Sequence, residues 1–287
     1  MTTSGPKLDH ADTLSARIAS ILDPLGGHSA VAANCVASPS ARRLPTVHAS
    51  ADDAPAAPSA PGNGHGPRPH PDAETVLIRA DAVMPAASLA KLPIAVELLR
   101  RVDLGQFDLA ERFDTTAEPR VGGGGVLDYL DPTTHLTLGD LCYLVLGVSD
   151  NTAANFLLDL VGMGEVNETA SRLNLAHTKL ARRFMDFAAR AAHHDNMTCA
   201  ADMHTLLGLI RSGALPGAHR LRDMLAAQQL GEDVVLRLPT TARLAHKTGT
   251  LDDVFHDAGI LTGPGGTCVF CVLTAAQSDV PAARAAV

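Results

Sequence analysis

The chain has 287 residues, 46% of them hydrophobic and 19% charged, which suits one large domain or two interlocked lobes with a sizeable core and does not read as disordered. With 23 basic residues against 31 acidic, a formal charge of -8 and only nine aromatic side chains, none of them Trp, it offers neither a phosphate-binding field nor a base-stacking platform, so nucleic acid is excluded as the expected partner. Nothing approaches the roughly 18 consecutive apolar residues of a membrane span. Charged residues interrupt Met1 to Asp23 where an export signal needs an unbroken apolar run, so the expectation is a cytoplasmic protein with no membrane partner.

The first helix is predicted from Leu14, Ile18, Ile21 and Leu22, ending near Gly26 and Gly27. Two strand-like segments follow, 29–36 and 75–80. Between them lies a tract, residues 37–74, with eight of the eighteen prolines and no Phe, Tyr, Trp or Ile, read as a flexible insertion replacing a hairpin turn. His48, His65 and His70 in that tract lack metal-site spacing and read as solvated. Helices are predicted at 87–101, 138–148, 152–161, 166–173, 200–212 and 218–229, and strands at 242–247, 254–261 and 267–274. This order predicts an α+β fold, an antiparallel sheet built from both ends of the chain, flanked by helices and carrying an inserted all-helical lobe. Residues 11–82 and 213–287 form the α/β lobe and 83–212 the helical one, with a ligand crevice between them. The five cysteines are odd in number and scattered, which predicts reduced thiols, and Cys268 and Cys271 read as buried structural ones.

Only four lysines occur against nineteen arginines, so a retained Lys points to an amine that must titrate or act as a compact charge. Lys91 follows Ser88 by three residues, a spacing that puts the amine and the hydroxyl on one helix face and permits an activated nucleophile. By itself that spacing is a weak motif. Two more motifs follow in order, Ser149-Asp150-Asn151 between helical runs and Lys247-Thr248-Gly249 at the end of a strand-like segment.

With these three motifs, and with Arg120-Val-Gly-Gly-Gly-Gly-Val-Leu127 and Ser149-Asp-Asn-Thr-Ala-Ala-Asn155, the chain resembles the class A β-lactamases and related penicillin-binding proteins over roughly Leu14 to Thr274. The resemblance implies that Ser88 attacks an activated carbonyl to form an acyl-enzyme, with Lys91 as its base or part of the base's proton path. It further implies that Ser149 relays a proton to the leaving group, that Asn151 orients substrate and holds Lys91, and that Asp150 braces its loop. Lys247 and Thr248 are expected to receive a substrate carboxylate, Gly249 to allow close strand approach, and the Ser88 and Thr250 N–H groups to form an oxyanion hole.

One element of the family pattern is missing. The Glu-x-x-Leu-Asn stretch that supplies the deacylating glutamate is replaced by Thr178-Lys-Leu-Ala-Arg-Arg-Phe-Met-Asp-Phe187, with Phe184 near the expected position. Asp186 is the only nearby carboxylate, expected either to activate water or to pair with Arg182 or Arg183, while Glu165 and Glu168 are expected to face solvent. His246 is read as strand packing and His256 as a site-lining proton carrier, His193 and His194 as exposed; no metal or cofactor is expected. The leading expectation is a serine acyl-transfer enzyme acting on a small-molecule ester or amide, with water or an amine as acceptor. A β-lactamase and an inactive binding protein on the same fold are the alternatives.

Overall fold

The computed structural model describes residues 10–37, 73–231, 237–278, 281, 282, 285 and 287. Helix α1 (His10–Leu22) leads into β1 (His28–Ala37), which pairs antiparallel with β2 (Ala73–Ile78). The bulk of the insertion, with His48, His65 and His70, lies outside the described residues. The chain then passes through β3 (Met84–Pro85) and a 3-10 turn (Ala87–Ala90) into α2 (Lys91–Asp103). The short pair β4 (Arg112–Asp114) and β5 (His135–Thr137) precedes α3 (Leu138–Gly147), α4 (Asn151–Val161) and α5 (Met163–Arg172). After α6 (Phe187–Ala191) and β6 (Met197–Thr198) come α7 (Ala200–Ser212) and α8 (Ala218–Ala226), then β7 (Arg243–Leu251), β8 (Val254–Gly263) and β9 (Gly266–Ala275).

The main sheet has the order β2-β1-β9-β8-β7, antiparallel throughout, so strands from both ends of the chain meet at the β1–β9 pairing. Strand alternation divides its residues between two faces. The inner face gives Ala30, Ala258 and Leu273 to one core shared with Leu98 of α2, Leu141 of α3, Leu157 of α4, Val166 of α5, Leu206 of α7 and Leu221 of α8. Each such leucine, fully removed from water, contributes about 2 kcal/mol. The outer face packs Val31, Val76 and Phe255 under Leu22 of α1 and Leu25.

Local chemistry sets the helix starts. Thr137 accepts the Asp140 N–H at 3.0 Å while Asp140 accepts the Thr137 N–H at 3.0 Å, a reciprocal cap that opens α3. Pro93 falls in the first turn of α2, where a missing N–H costs little, and causes no break. The short pairs β3–β6 and β4–β5 and the five-residue α6 carry too little periodicity to be anticipated from sequence.

The cysteine expectation is corrected for one pair. Register places Cys35 opposite Cys268, with Cα atoms 4.0 Å apart, and a disulfide joins them. Strand partners 233 residues apart leave no spacing signal, which is why the count alone misled. Cys142, Cys199 and Cys271 are free, as expected, and all three are buried; burial pushes the Cys142 and Cys199 thiols up to about 12. Among the described residues, no helix is long and apolar enough to cross a membrane.

Candidate active site

The 3-10 turn and the first residue of α2 put Ser88 and Lys91 on the same side, and α4 begins against them at Asn151. Lys91 is fully buried, yet its Nζ lies 3.2 Å from Ser88 Oγ, 3.1 Å from Ser149 Oγ, 2.7 Å from the Ser149 carbonyl and 2.6 Å from Asn151 Oδ1. Burial drives the amine well below its ordinary value, and repulsion from Lys247 lowers it further, against an opposing pull from the Asp150 carboxylate. A neutral amine has two N–H bonds and one lone pair. Its two closest contacts, Asn151 Oδ1 and the Ser149 carbonyl, can take only hydrogens, which leaves the lone pair for a serine O–H.

Both serines sit beside backbone held in the left-handed region, φ 47° at Ala87 just before Ser88 and φ 56° at Ser149 itself. Such conformations cost about 1–3 kcal/mol each in a residue with a side chain, and they persist where packing over-determines them. The bracing is visible. Asp150 caps α4 by accepting the Ala153 N–H at 2.9 Å, and its other oxygen accepts the Val126 and Leu127 N–H groups at 2.7 and 2.8 Å. Asn151 Nδ2 donates to the Gly122 carbonyl at 2.8 Å, so the glycine-rich segment is tied to the same loop.

Strand β7 supplies the other wall. Lys247 is fully buried; its Nζ donates to Gln228 Oε1 and to the Thr248 carbonyl, both at 2.9 Å, and burial lowers the amine to about 7 against the attraction of Asp257. Gly249 is pressed against the segment leading to Ser88, since a Cβ there would stand 3.2 Å from Ala87 Cβ and 3.3 Å from the Ala86 carbonyl. Thr248 is partly exposed and Thr250 exposed on the same strand. Gln228 has no motif of its own, and no signal in the sequence marks it as the partner of Lys247.

Several expected residues lie elsewhere or do something different. Asp186 is exposed and its carboxylate caps α6, accepting the Ala189 N–H at 2.9 Å, so it is not brought to the lysine. It pairs with neither arginine: Arg182 binds Asp195 at 2.7 Å, and Arg183 binds Glu118 and Asp159. Glu165 and Glu168 are exposed, as expected. Phe184 is buried instead, its ring centroid 4.8 Å from Lys91 Nζ, and its backbone is clamped by Asn155 through bonds of 2.8 and 3.1 Å. His246 is buried in β7 as expected, with Nδ1 2.9 Å from Asp257 Oδ1. His256 is not a free proton carrier: both ring nitrogens are engaged, Nε2 2.7 Å from the Pro85 carbonyl and Nδ1 3.2 Å from the Thr274 N–H, and burial lowers its basicity. No cluster of three or more metal-ligating side chains occurs among the described residues.

A serine hydroxyl aimed at a buried, weakly basic lysine, with a second serine on the same amine, is an arrangement that suits a serine hydrolase. The chain belongs to the beta-lactamase enzyme family, whose sequence profile it matches over residues 70–287. It is 28% identical over 259 residues to the beta-lactamase regulatory protein BlaB of Streptomyces cacaoi, a match covering 73% of this chain and 82% of that protein. It is 33% identical over 201 residues to a beta-lactamase of Streptomyces fradiae, covering 67% of this chain and 66% of that one. Among solved structures it resembles the beta-lactamase of Sphaerobacter thermophilus, with a TM-score of 0.77, 27% identity and 96% and 92% of the two chains covered. A variant of PBP-A, solved as an acyl-enzyme complex with penicillin G, shares the fold with a TM-score of 0.75, 22% identity and 96% and 93% coverage.

Proposed function

We propose that the chain is an acylating serine enzyme whose donor is a strained or activated amide of the β-lactam type, and whose acyl-Ser88 intermediate breaks down slowly. Neutral Lys91 accepts the Ser88 Oγ proton as Oγ bonds to the donor carbonyl. The tetrahedral oxyanion lies on the Ser88 and Thr250 N–H groups. Collapse breaks the amide C–N bond while Ser149 passes its proton to the departing nitrogen, and Lys91 returns a proton to Ser149. Lys247 and Thr248 receive the donor's carboxylate, and Asn151 its amide.

The observation that carries the slow second half is the Phe184 ring beside Lys91. Hydrolysis of an acyl-enzyme needs a base to activate water, and among the described residues no carboxylate hydrogen-bonds to Ser88, Lys91 or Ser149, Asp150 being occupied by backbone donors. An amine acceptor, itself a nucleophile, is favoured by such a site. A β-lactamase with rapid turnover is the second reading, supported by the names of the Streptomyces fradiae and Sphaerobacter thermophilus relatives. The hydrogen-bonded Lys91 speaks against an inactive binding protein. The Cys35–Cys268 disulfide weighs against the cytoplasmic placement, since such bonds persist chiefly in oxidising compartments.

Intact-mass measurement after mixing with penicillin G, run beside turnover of a chromogenic cephalosporin, tests this. The expected result is a lasting adduct that Ser88→Ala abolishes. Fast turnover without an adduct establishes the β-lactamase reading, and an adduct that survives Ser88→Ala refutes the nucleophile.

A further inference from the structure

His256 sits on β8 directly opposite Gly249 of β7, almost wholly buried at 2% exposure. Its Nε2 lies 2.7 Å from the Pro85 carbonyl, while its Nδ1 lies 3.2 Å from the Thr274 N–H of β9 and 2.9 Å from the Phe255 carbonyl. Nε2 faces a carbonyl and must carry the hydrogen to bond it, and Nδ1 then accepts from Thr274, while the Phe255 carbonyl receives the Thr274 hydroxyl at 2.8 Å. Pro85 ends β3, and three residues later comes Ser88, with Ala87 held at φ 47° between them. Ala86 is tied on its other side, its N–H donating to the Asn196 carbonyl at 2.7 Å. The ring also faces β7, its Cδ2 3.3 Å from where a Cβ on Gly249 would lie, and Gly249 precedes Thr250. One imidazole therefore touches both segments that end in the expected oxyanion donors, the N–H groups of Ser88 and Thr250.

We propose that His256 is a positioning residue that sets the spacing of the two oxyanion-hole donors, by holding the Pro85 carbonyl through Nε2–H and backing Gly249 with its ring edge. The proposal rests on acylation at Ser88. The imidazole touches no reacting atom in this arrangement; it acts through Pro85 and Gly249. A rigid imidazole suits the task, because oxyanion donors give their largest benefit when fixed beforehand at the position the charge will occupy. Misplacement of reacting groups by 1 Å costs about 10²-fold in rate.

Two substitutions separate the two bonds. His256→Gln can place an amide N–H where Nε2 lies and keep the Pro85 bond, while His256→Asn can place an oxygen where Nδ1 lies and keep only the Thr274 bond. With penicillin G as the probe, the acylation rate constant and the apparent dissociation constant of the preceding complex are measured for both variants and the parent. The expected result for His256→Asn is an acylation rate constant lowered about 10²-fold with the dissociation constant unchanged, and for His256→Gln recovery to within tenfold of the parent. Equal losses in both variants, or a loss that falls on the dissociation constant, overturn the positioning role.

The Ser88 and Thr250 amide resonances in nitrogen-edited NMR spectra give a readout that needs no donor and no acylation. They should move in His256→Asn and stay near their parent positions in His256→Gln; unmoved resonances in His256→Asn overturn the proposal. If the parent forms no adduct while the resonances behave as expected, the acylation reading fails and the positioning of the two amides stands.

Discussion

Phe184 places its ring centroid 4.8 Å from the Lys91 nitrogen, so the lysine proposed to activate Ser88 meets an aromatic face, from the stretch where the family resemblance leads one to expect a glutamate. An aromatic ring attracts the protonated amine weakly and cannot accept a proton from water. Phe184→Glu therefore introduces a base where none stands. The expected outcome is a penicillin adduct whose lifetime falls at least tenfold, within the roughly 10²–10⁴-fold that a positioned general base supplies. Time-resolved intact mass checks it. Acylation should slow at the same time, because a carboxylate beside Lys91 favours its protonated form.

Asp186 provides the matching control. Its carboxylate caps α6 and is exposed, so Asp186→Ala should cost at most about 1 kcal/mol. The adduct lifetime should not change, and a longer one would return Asp186 to the chemistry.

The parts of this site that sequence disclosed are those in which spacing is itself the geometry. Ser88 and Lys91 lie one turn apart by virtue of their offset, and Ser149 to Asn151 stand at a helix start that their own capping chemistry creates. The long helices and the three C-terminal strands were legible for the same reason, as periodic patterns. What escaped depends on contacts across the sheet. Gln228 reaches Lys247 from the end of α8, His246 finds Asp257 diagonally across β7 and β8, and Cys35 meets Cys268 only because β1 and β9 are in register. Asp186 shows the limit, because one-dimensional proximity to Phe184 says nothing about which way a short loop turns.

Lys247 gives a pH signature in stability. Its amine titrates near 7 in the folded protein against an ordinary 10.5, so between those values the unfolded chain binds a proton that the folded chain does not. Stability must therefore rise with pH across this window. The clean range is about 7 to 9, since above 9 the buried Cys142 and Cys199 thiols, pushed up to about 12, act in the opposite sense. Urea unfolding at several pH values should show the rise. Lys247→Met should flatten it in part, the remainder belonging to Lys91, whose shift has the same sign.

The disulfide between Cys35 and Cys268 closes nearly the whole chain, with a separation of 233 residues. Loop-closure entropy allows it to contribute up to about 5 kcal/mol. Cys35→Ser should lower the urea midpoint, and reductant should lower that of the parent to the same value while leaving the variant unmoved. A parent indifferent to reductant would show the bond absent or without effect.

Asp150 combines a structural and an electrostatic role, and the two can be read separately. Its carboxylate accepts three backbone N–H groups, from Val126, Leu127 and Ala153, and an amide has only one oxygen to offer in place of two. Asp150→Asn should therefore destabilise the protein by about 3 kcal/mol, since hydrogen bonds to a charged acceptor are worth about 1.5–3 kcal/mol each. Gly125→Ala tests the same packing without a change of charge, because a Cβ at φ 102° would collide with the Asp150 carboxylate. Only the first variant should alter titration. The Asp150 charge favours protonated Lys91, so its removal lowers the lysine further. The alkaline-rising limb of the acylation rate should move to lower pH in Asp150→Asn and stay in place in Gly125→Ala. A shift in the opposite direction would mean that the lysine does not act as the proton acceptor.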